Sequence, residues 1–180
     1  MKVVAIVGMS GAGKSEVSRV FEQNGFFRIR FGDITDGEAR KRGLELSEEN
    51  ERYVRELLRR EHGMSAYAQL NLPRIDSALK HSDVVVDGLY SWEEYILFKA
   101  YYRDNFYVVA VWASPGVRYH RLMTRPERPL TLGEAASRDR AEIENINKGG
   151  PIAMADFTII NESSLEKLRL EAERVIAQLR

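Results

Sequence analysis

The stretch Gly8-Met9-Ser10-Gly11-Ala12-Gly13-Lys14-Ser15 decides how the rest of the chain is interpreted. It matches the pattern G-x-x-x-x-G-K-[ST], in which glycines let the backbone curl so that successive N–H groups point at an anion. The apolar run before it, Val3–Val7, predicts a strand buried on both faces of a parallel sheet. Residues 14–23 repeat apolar side chains at helical spacing. A strand, a glycine-rich turn and a helix thus follow in the order that anion binding at a helix N-terminus requires.

Each residue type in this loop predicts a contact with a triphosphate and its metal ion. Lys14 is predicted to reach the β- and γ-phosphates, and the Ser15 hydroxyl to ligate Mg²⁺. The electropositive start of the helix adds to the affinity for anions. ATP and Mg²⁺ are therefore the predicted ligands. The predicted nucleotide contacts in the loop are Gly8, Ser10, Gly11, Ala12, Gly13, Lys14 and Ser15.

The composition is that of an ordinary globular domain. The chain has 180 residues, and its 27 basic residues balance its 27 acidic ones, so no global field favours nucleic acid or an anionic membrane. Any phosphate binding must come from a local site. The chain contains no cysteine, which excludes disulfides and thiolate chemistry. Its N-terminal apolar run is too short for a signal sequence or a membrane span, so we expect a soluble, cytoplasmic protein.

Further apolar runs predict four more strands, at 26–31, 84–86, 106–112 and 157–160, with helical patterns between them. Alternating strands and helices predict an α/β fold of three layers, with a five-stranded, mostly parallel sheet covered on both faces. The last helix is predicted to begin at a Ser163 cap with Glu166 at the capping-box position. Its predicted apolar stripe is Leu165, Leu168, Ala172, Val175, Ile176 and Leu179.

Two segments depart from the alternation of strands and helices. Residues 33–82 have helical character without a convincing strand, and residues 119–140 are rich in arginine. Both are interpreted as excursions from a single domain. The predicted core is then made of residues 1–32, 83–118 and 141–180.

Polar residues at the carboxyl ends of the predicted strands are candidates for the site, because ligands of open α/β sheets bind there. They are Asp33, Asp87, Ser114 and Asn161. Asp87 follows 84–86 and has the form of a carboxylate that holds magnesium through water, with a surface aspartate in a turn as the alternative. Asp33 could orient metal-bound water or accept a proton from a substrate hydroxyl, and it could equally cap the following helix.

Arginines are concentrated between residues 118 and 140. They are Arg118, Arg121, Arg125, Arg128, Arg138 and Arg140, against Glu127, Glu134 and Asp139. Arginine neutralises the charge that develops around a migrating phosphoryl group. Arg121 and Arg125 lie four residues apart, as on one face of a helix. Arg138 and Arg140 fit a solvated helix face with glutamate partners.

The whole chain resembles the adenylate-kinase-related P-loop proteins. The resemblance is carried by the loop 8–15, by Gly32-Asp33-Ile34, by Val86-Asp87-Gly88 and by Arg121-Leu122 with Arg125. It is also carried by Ala153-Met154-Ala155-Asp156, which leads to Asn161. Residues 155–161, followed by 163–166, are similar as well to the C-terminal segment of dephospho-CoA kinases. The resemblance implies an adenine site near the loop after the fifth strand, at Asn161, with Arg121 over the base and Arg125 on phosphate. It also implies an acceptor-binding lobe at 33–82 and a lid at 119–140.

The chain departs from the adenylate kinases at two positions. Those enzymes carry an arginine three residues after the Gly-Asp pair, where Asp36 stands here, and another after the third strand, where Leu89-Tyr90-Ser91 stands. An aspartate in place of a phosphate-binding arginine inverts the sign of the interaction. Candidates for compensation are Arg28, Arg30 and Arg40.

Three functions are compatible with these features. The first is transfer of the γ-phosphoryl of ATP·Mg²⁺ to a small acceptor, above all a nucleotide or a nucleotide-like molecule, with Lys14, Asp33, Arg121 and Arg125 as catalytic residues. The second is a hydroxyl kinase resembling dephospho-CoA kinase, with Asp33 as general base. The third is an ATP-binding switch protein with slow hydrolysis. A guanine-selecting Asn-Lys-x-Asp motif is absent from the sequence, which argues against a GTPase.

Overall fold

The strand that precedes the glycine-rich loop lies at the centre of the sheet. A computed structural model describes residues 1–127 and 129–180. Within these residues, five parallel strands form a single sheet in the order β2-β3-β1-β4-β5. The strands are β1 (Val3–Val7), β2 (Phe27–Arg30), β3 (Val84–Asp87), β4 (Phe106–Trp112) and β5 (Phe157–Ile160). Every residue of β1 and β3 is buried, which explains their uninterrupted apolar runs.

Helices cover both faces of the sheet. In the described parts of the chain they are α1 (Lys14–Gln23), α2 (Gly32–Lys41), α3 (Glu48–His62), α4 (Ala66–Ala78), α5 (Trp92–Tyr102), α6 (Pro115–Thr124), α7 (Leu132–Glu144), α8 (Gly149–Ala153) and α9 (Leu165–Leu179). A 3-10 turn, Arg103–Asn105, precedes β4. None of these helices is long and apolar enough to cross a membrane.

Alternate residues of β1 face two different apolar cores. Val3, Ala5 and Val7 pack with residues of α4 and α5. Val4 and Ile6 pack with residues of α1 and α9 on the opposite face. The molecule therefore has three layers, and the predicted α/β class is confirmed.

The second strand is shorter than predicted, because α2 begins almost at once. Phe31 is the N-cap residue and has helical dihedral angles, so Asp33 lies inside the first turn of α2. The prediction that Asp33 caps this helix is wrong. Its carboxylate is nevertheless well placed electrostatically, because acidic side chains are favourable in a first helical turn.

The last helix begins one residue later than its predicted cap. Ser164 is the N-cap, and its hydroxyl accepts a hydrogen bond from the Lys167 N–H at 3.3 Å. The predicted cap at Ser163, with Glu166 at the capping-box position, is therefore wrong. Leu165 is 46% exposed, whereas the other members of the predicted stripe are buried. Those members are Leu168, Ala172, Val175, Ile176 and Leu179.

The arginine-rich segment divides between two helices. α6 ends at Thr124, and Arg125 follows it with extended dihedral angles. Arg121 and Arg125 therefore do not share one helix face, contrary to the prediction. Arg128 lies outside the described residues.

Candidate functional site

The loop after β1 has a backbone that only glycine tolerates at its two consensus positions. Gly8 has φ +145° and Gly13 has φ +105°. A Cβ atom on Gly8 would lie 2.3 Å from the Val111 carbonyl oxygen, and one on Gly13 would lie 2.4 Å from Nδ2 of Asn161. The loop is thus packed tightly against the ends of β4 and β5. This contact accounts for the glycines of the motif in physical terms.

Lys14 is the first residue of α1, and its side chain folds back over the loop. Its Nζ donates a hydrogen bond to the Met9 carbonyl at 3.0 Å. Burial, followed by the nearby Lys148 ammonium, lowers the pKa of Lys14 to about 7. The loop therefore encloses a desolvated cation, whose charge an anion would stabilise.

A cavity of about 160 Å³ opens between this loop and the ends of β2 and β3. Four predicted site residues meet in it. Residues of α7 and of the turn before α8 close its other side. The lining residues are Ser10, Lys14, Ser15, Arg30, Gly32, Asp87, Gly88, Tyr90, Arg138, Glu142 and Lys148.

Asp87 is the last residue of β3 and is only 7% exposed. Its carboxylate forms an ion pair with Arg28 of the neighbouring strand β2. Since Asp87 is buried and lines the cavity together with Ser15, the alternative of a surface aspartate in a turn is wrong.

Asn161 and Arg121 contact the loop without lining the cavity, as far as the described residues show. The Asn161 Nδ2 donates to the Ala12 carbonyl at 2.8 Å. Arg121 donates to the main-chain oxygen of Asn161 at 3.0 Å and to that of Gly11 at 3.5 Å. In this conformation both side chains support the loop. Arg125 is half-buried and is likewise not among the described lining residues.

Asp33 lies beside the cavity, adjacent to the lining residue Gly32. Its carboxylate forms ion pairs with Arg30 at 3.5 Å and with Arg74 of α4 at 3.3 Å. Its side chain is 39% exposed. A carboxylate with this exposure between two arginines is accessible to a small molecule.

One of the three candidate arginines for the acceptor side reaches the cavity. Arg30 lines it together with Tyr90, which occupies the second position where adenylate kinases carry arginine. Arg28 is instead paired with Asp87, and Arg40 is exposed on α2. Burial, followed by the Asp87 carboxylate, raises the pKa of the Tyr90 hydroxyl, so it remains a protonated donor.

Three lining residues, Arg138, Glu142 and Lys148, are not among the site residues predicted from the sequence. Arg138 has the predicted glutamate partner, since its Nε donates to Glu142 at 3.4 Å, but the prediction of a solvated face is wrong because this side chain lines the cavity. The same interpretation fits Arg140, whose side chain is 77% exposed and pairs with Glu144. The spacing of four residues between Arg138 and Glu142 could have predicted that these two side chains pair on one face of a helix.

Arg118 contributes to the site indirectly, because it is buried and hydrogen-bonds both to the glycine-rich loop and to α7. Its guanidinium donates two hydrogen bonds to the Asp139 carboxylate, at 2.8 and 2.5 Å. A third reaches the Ser10 main-chain oxygen at 3.0 Å. α6, α7 and the glycine-rich loop are thereby held in one arrangement.

The donor set of the cavity fits a triphosphate with its magnesium ion. Four cationic side chains and a glycine-rich helix start surround a space suited to phosphate groups, and the hydroxyl of Ser15 and the carboxylate of Asp87 are oxygen ligands of the type that Mg²⁺ prefers. No group of three histidine or acidic side chains in the described residues could hold a metal by itself.

Comparison with known proteins identifies the family. An AAA domain model matches residues 4–145. The UPF0200 protein TK1334 of Thermococcus kodakarensis is 38% identical, with 98% of this chain and 97% of that protein covered. A UPF0200 protein of Hyperthermus butylicus is 37% identical, with coverages of 98% and 94%.

Solved structures show the same fold at low sequence identity. TT1252 from Thermus thermophilus has a TM-score of 0.63 at 21% identity, with 99% of this chain and 98% of that chain covered. A gluconokinase from Sinorhizobium meliloti has a TM-score of 0.62 at 17% identity, with coverages of 99% and 93%. A shikimate kinase from Acinetobacter baumannii, in complex with shikimate, has a TM-score of 0.60 at 15% identity, with the same coverages. The chain therefore belongs to the AAA domain family of P-loop NTPases and to the UPF0200 proteins.

Proposed function

We propose that the protein is an ATP-dependent phosphotransferase that moves the γ-phosphoryl group of ATP·Mg²⁺ to a small acceptor, a nucleotide or a nucleotide-like molecule. The observation that carries the proposal is the shared cavity of about 160 Å³, which is lined by Lys14 and Ser15 of the loop and also by Arg30. Phosphoryl transfer requires donor and acceptor to be held together in such an enclosed space. The kinase-like fold supports the reaction class.

On the ATP side, the loop N–H groups and Lys14 bind the phosphates, while Ser15 and Asp87 hold the metal. Magnesium-bound ATP supplies the transferable phosphoryl group. A bound phosphate would give the buried Lys14 ammonium a directly contacting anion, in addition to the hydrogen bond that it donates to the Met9 carbonyl. Arg28 fixes the orientation of the Asp87 carboxylate through their ion pair.

The nucleoside end of ATP is proposed to lie near Arg121 and Asn161. Both side chains bond to main-chain oxygens of the loop, which supports a location next to the bound nucleotide. In this proposal Arg121 covers the base and Arg125 contacts phosphate, while residues 119–140 act as a lid and 33–82 as the acceptor lobe. Closure of the lid would exclude water, which otherwise competes as phosphoryl acceptor.

On the acceptor side, Arg30 binds the anionic group of the acceptor, which the Asp36 carboxylate would repel. Its guanidinium lies in the cavity wall next to Gly32 and Tyr90. An arginine in this position suits an acceptor that carries a phosphate or carboxylate group, since guanidinium binds both in bidentate geometry. A nucleotide or nucleotide-like acceptor satisfies that requirement.

A hydroxyl acceptor is the second candidate, and the position of Asp33 favours it. The carboxylate lies next to the lining residue Gly32 and is accessible. Asp33 would then accept the proton of the attacking hydroxyl, with Arg30 and Arg74 holding it in place.

Release of ADP, measured with a panel of acceptors, distinguishes these functions. We expect nucleoside monophosphates to stimulate release in the wild type, and the Arg30→Met variant to raise the acceptor KM. Arg40→Met, which changes an exposed arginine, is the matched control. Stimulation by dephospho-CoA or small alcohols, lost in Asp33→Asn, would favour the hydroxyl kinase. Slow turnover that no small acceptor changes, but that RNA or a protein partner raises, would favour a switch protein and contradict the proposal.

A further inference from the structure

A second lysine lies in the cavity that Lys14 occupies. Lys148 stands in the turn between α7 and α8, and its side chain is only 2% exposed. Its Nζ donates a hydrogen bond to Oε2 of Glu142 at 2.8 Å and lies 5.6 Å from the ring centroid of Tyr90. Lysine is seldom buried to this extent unless its charge is paired. Glu142 supplies that paired charge, and the position of Lys148 in the cavity lining places its ammonium beside the space that a ligand would occupy.

Glu142 is bonded by the kinds of donor that bind phosphate. Its Oε1 accepts from the Ser10 hydroxyl of the loop at 2.8 Å and from Arg138 at 3.4 Å, while its Oε2 accepts from Lys148. Burial alone would raise the pKa of Glu142, but the Lys148 and Lys14 ammonium groups outweigh it and hold this pKa well below its usual range. An ionised carboxylate thus contacts the phosphate loop.

The charges of both lysines act on this one carboxylate, although only Lys148 is hydrogen-bonded to it. Both lysine side chains line the same cavity, so their like charges repel each other across it. An ammonium group has three N–H donors, and the bond to Glu142 uses one of those on Lys148. A phosphate between the lysines would relieve the repulsion and supply further acceptors, as charge-assisted hydrogen bonds require.

We propose that Lys148 is a second phosphate-binding lysine, which contacts the terminal phosphate of the bound nucleotide, and that Glu142 holds it in position when no nucleotide is present. The proposal rests on the proposed function, because it takes the loop to bind a triphosphate. Lys14 and Lys148 then approach the phosphate from two sides, one from the loop and one from the turn after α7.

Binding of ATP·Mg²⁺ and ADP·Mg²⁺ by isothermal titration calorimetry tests this role. The Lys148→Met variant is expected to weaken ATP binding by about 10-fold or more, as for loss of a charge-assisted hydrogen bond. ADP lacks the terminal phosphate, so its affinity should change by less than about 3-fold. Lys148→Arg should retain the preference for ATP. Lys99→Met, at an exposed lysine of α5, is the matched control and should resemble the wild type.

A double variant separates phosphate binding from neutralisation of Glu142. If Lys148 served only to balance the buried carboxylate, Lys148→Met combined with Glu142→Gln would restore ATP affinity. We expect circular dichroism to show that the double variant is folded, and calorimetry to show that its affinity for ATP remains as low as that of Lys148→Met. Recovery of ATP affinity, or equal losses for ATP and ADP in Lys148→Met, would overturn the proposal. If the wild type binds neither nucleotide, the proposed function fails as well, whereas wild-type binding with an unchanged ATP-to-ADP ratio in Lys148→Met overturns this inference alone.

Discussion

The side-chain Nδ2 of Asn161 donates a hydrogen bond to the main-chain oxygen of Ala12 at 2.8 Å. This contact joins the end of β5 to a loop that lies 149 residues earlier in the chain. Asn161 is 6% exposed, so neither partner has water as a ready substitute. The conformation of the phosphate loop therefore depends on the far end of the sheet.

Replacing Asn161 by Ala should lower the free energy of unfolding by roughly 1–3 kcal/mol, because the buried Ala12 oxygen loses its donor. ATP affinity should fall with it, since the loop is no longer held. Urea denaturation and calorimetric titration measure the two effects. Asn105→Ala, at an exposed position, serves as control. Unchanged values for Asn161→Ala in both measurements would show that the loop does not need this support.

The close approach of Gly13 to Asn161 leads to a second prediction. In Gly13→Ala a Cβ would lie 2.4 Å from the Asn161 Nδ2, at a φ of +105° that alanine rarely adopts. We expect at least a ten-fold loss of ATP affinity, on the order of 1.4 kcal/mol or more. Gly116→Ala, in the first turn of α6 with open space around it, should bind ATP like the wild type. Normal binding by Gly13→Ala would mean that the loop adapts in a way the structure does not support.

The buried pair Arg118 and Asp139 should behave as one unit. Arg118→Met leaves the Asp139 charge buried without its main partner and should cost roughly 3–5 kcal/mol of stability. The double variant Arg118→Met/Asp139→Leu should recover much of this loss, since it removes both charges. A double-mutant cycle from urea denaturation measures the coupling. If the stability losses of the single variants Arg118→Met and Asp139→Leu simply added up in the double variant, the two side chains would not be coupled, which would contradict this prediction.

Glu94 makes stability depend on pH. It is fully buried, and Oε1 of its carboxylate has no hydrogen-bond partner within the described structure. Burial raises its pKa from 4.5 to about 7. The folded protein therefore holds this proton more tightly than the unfolded chain, so stability should fall as the pH rises from about 4.5 to about 7 and then level off.

Glu94→Gln removes the titrating group, while its amide oxygen can still accept from the N–H groups of Tyr90 and Ser91. Relative to this variant, the wild type should lose on the order of 2 kcal/mol between pH 5 and pH 8. Urea denaturation at both pH values gives the difference. Glu166→Gln, at an exposed glutamate of α9, is the control. A difference of the opposite sign would show that Glu94 is stabilised in its ionised form.

Local patterns in the sequence predicted the sheet well. β1, β4 and β5 have the predicted bounds, because each is a short apolar run that ends at a turn. The glycine-rich loop and α1 followed from one motif. The sequence did not predict which of two adjacent serines caps α9, because Ser163 and Ser164 can both accept a hydrogen bond from a main-chain N–H.

The arginine-rich segment could not be resolved from sequence, because its roles depend on how α6 and α7 pack. Arg118 turns inward to Asp139, and Arg138 turns to the cavity, although both belong to the same arginine-rich stretch. The sequence does not indicate that Lys148 lies in the site, since a single lysine before a glycine forms no recognisable motif. Only the fold of α7 and the following turn brings it to the phosphate loop.

The central claim is that the loop from Gly8 to Ser15 binds the triphosphate of ATP. Calorimetric titration of the wild type and of Lys14→Ala with ATP·Mg²⁺ tests it most directly. We expect saturable binding with one site per chain in the wild type, and a loss of affinity of at least about 100-fold in a Lys14→Ala variant that remains folded. Absence of saturable binding in the wild type, or equal affinities for the two proteins, would contradict the account.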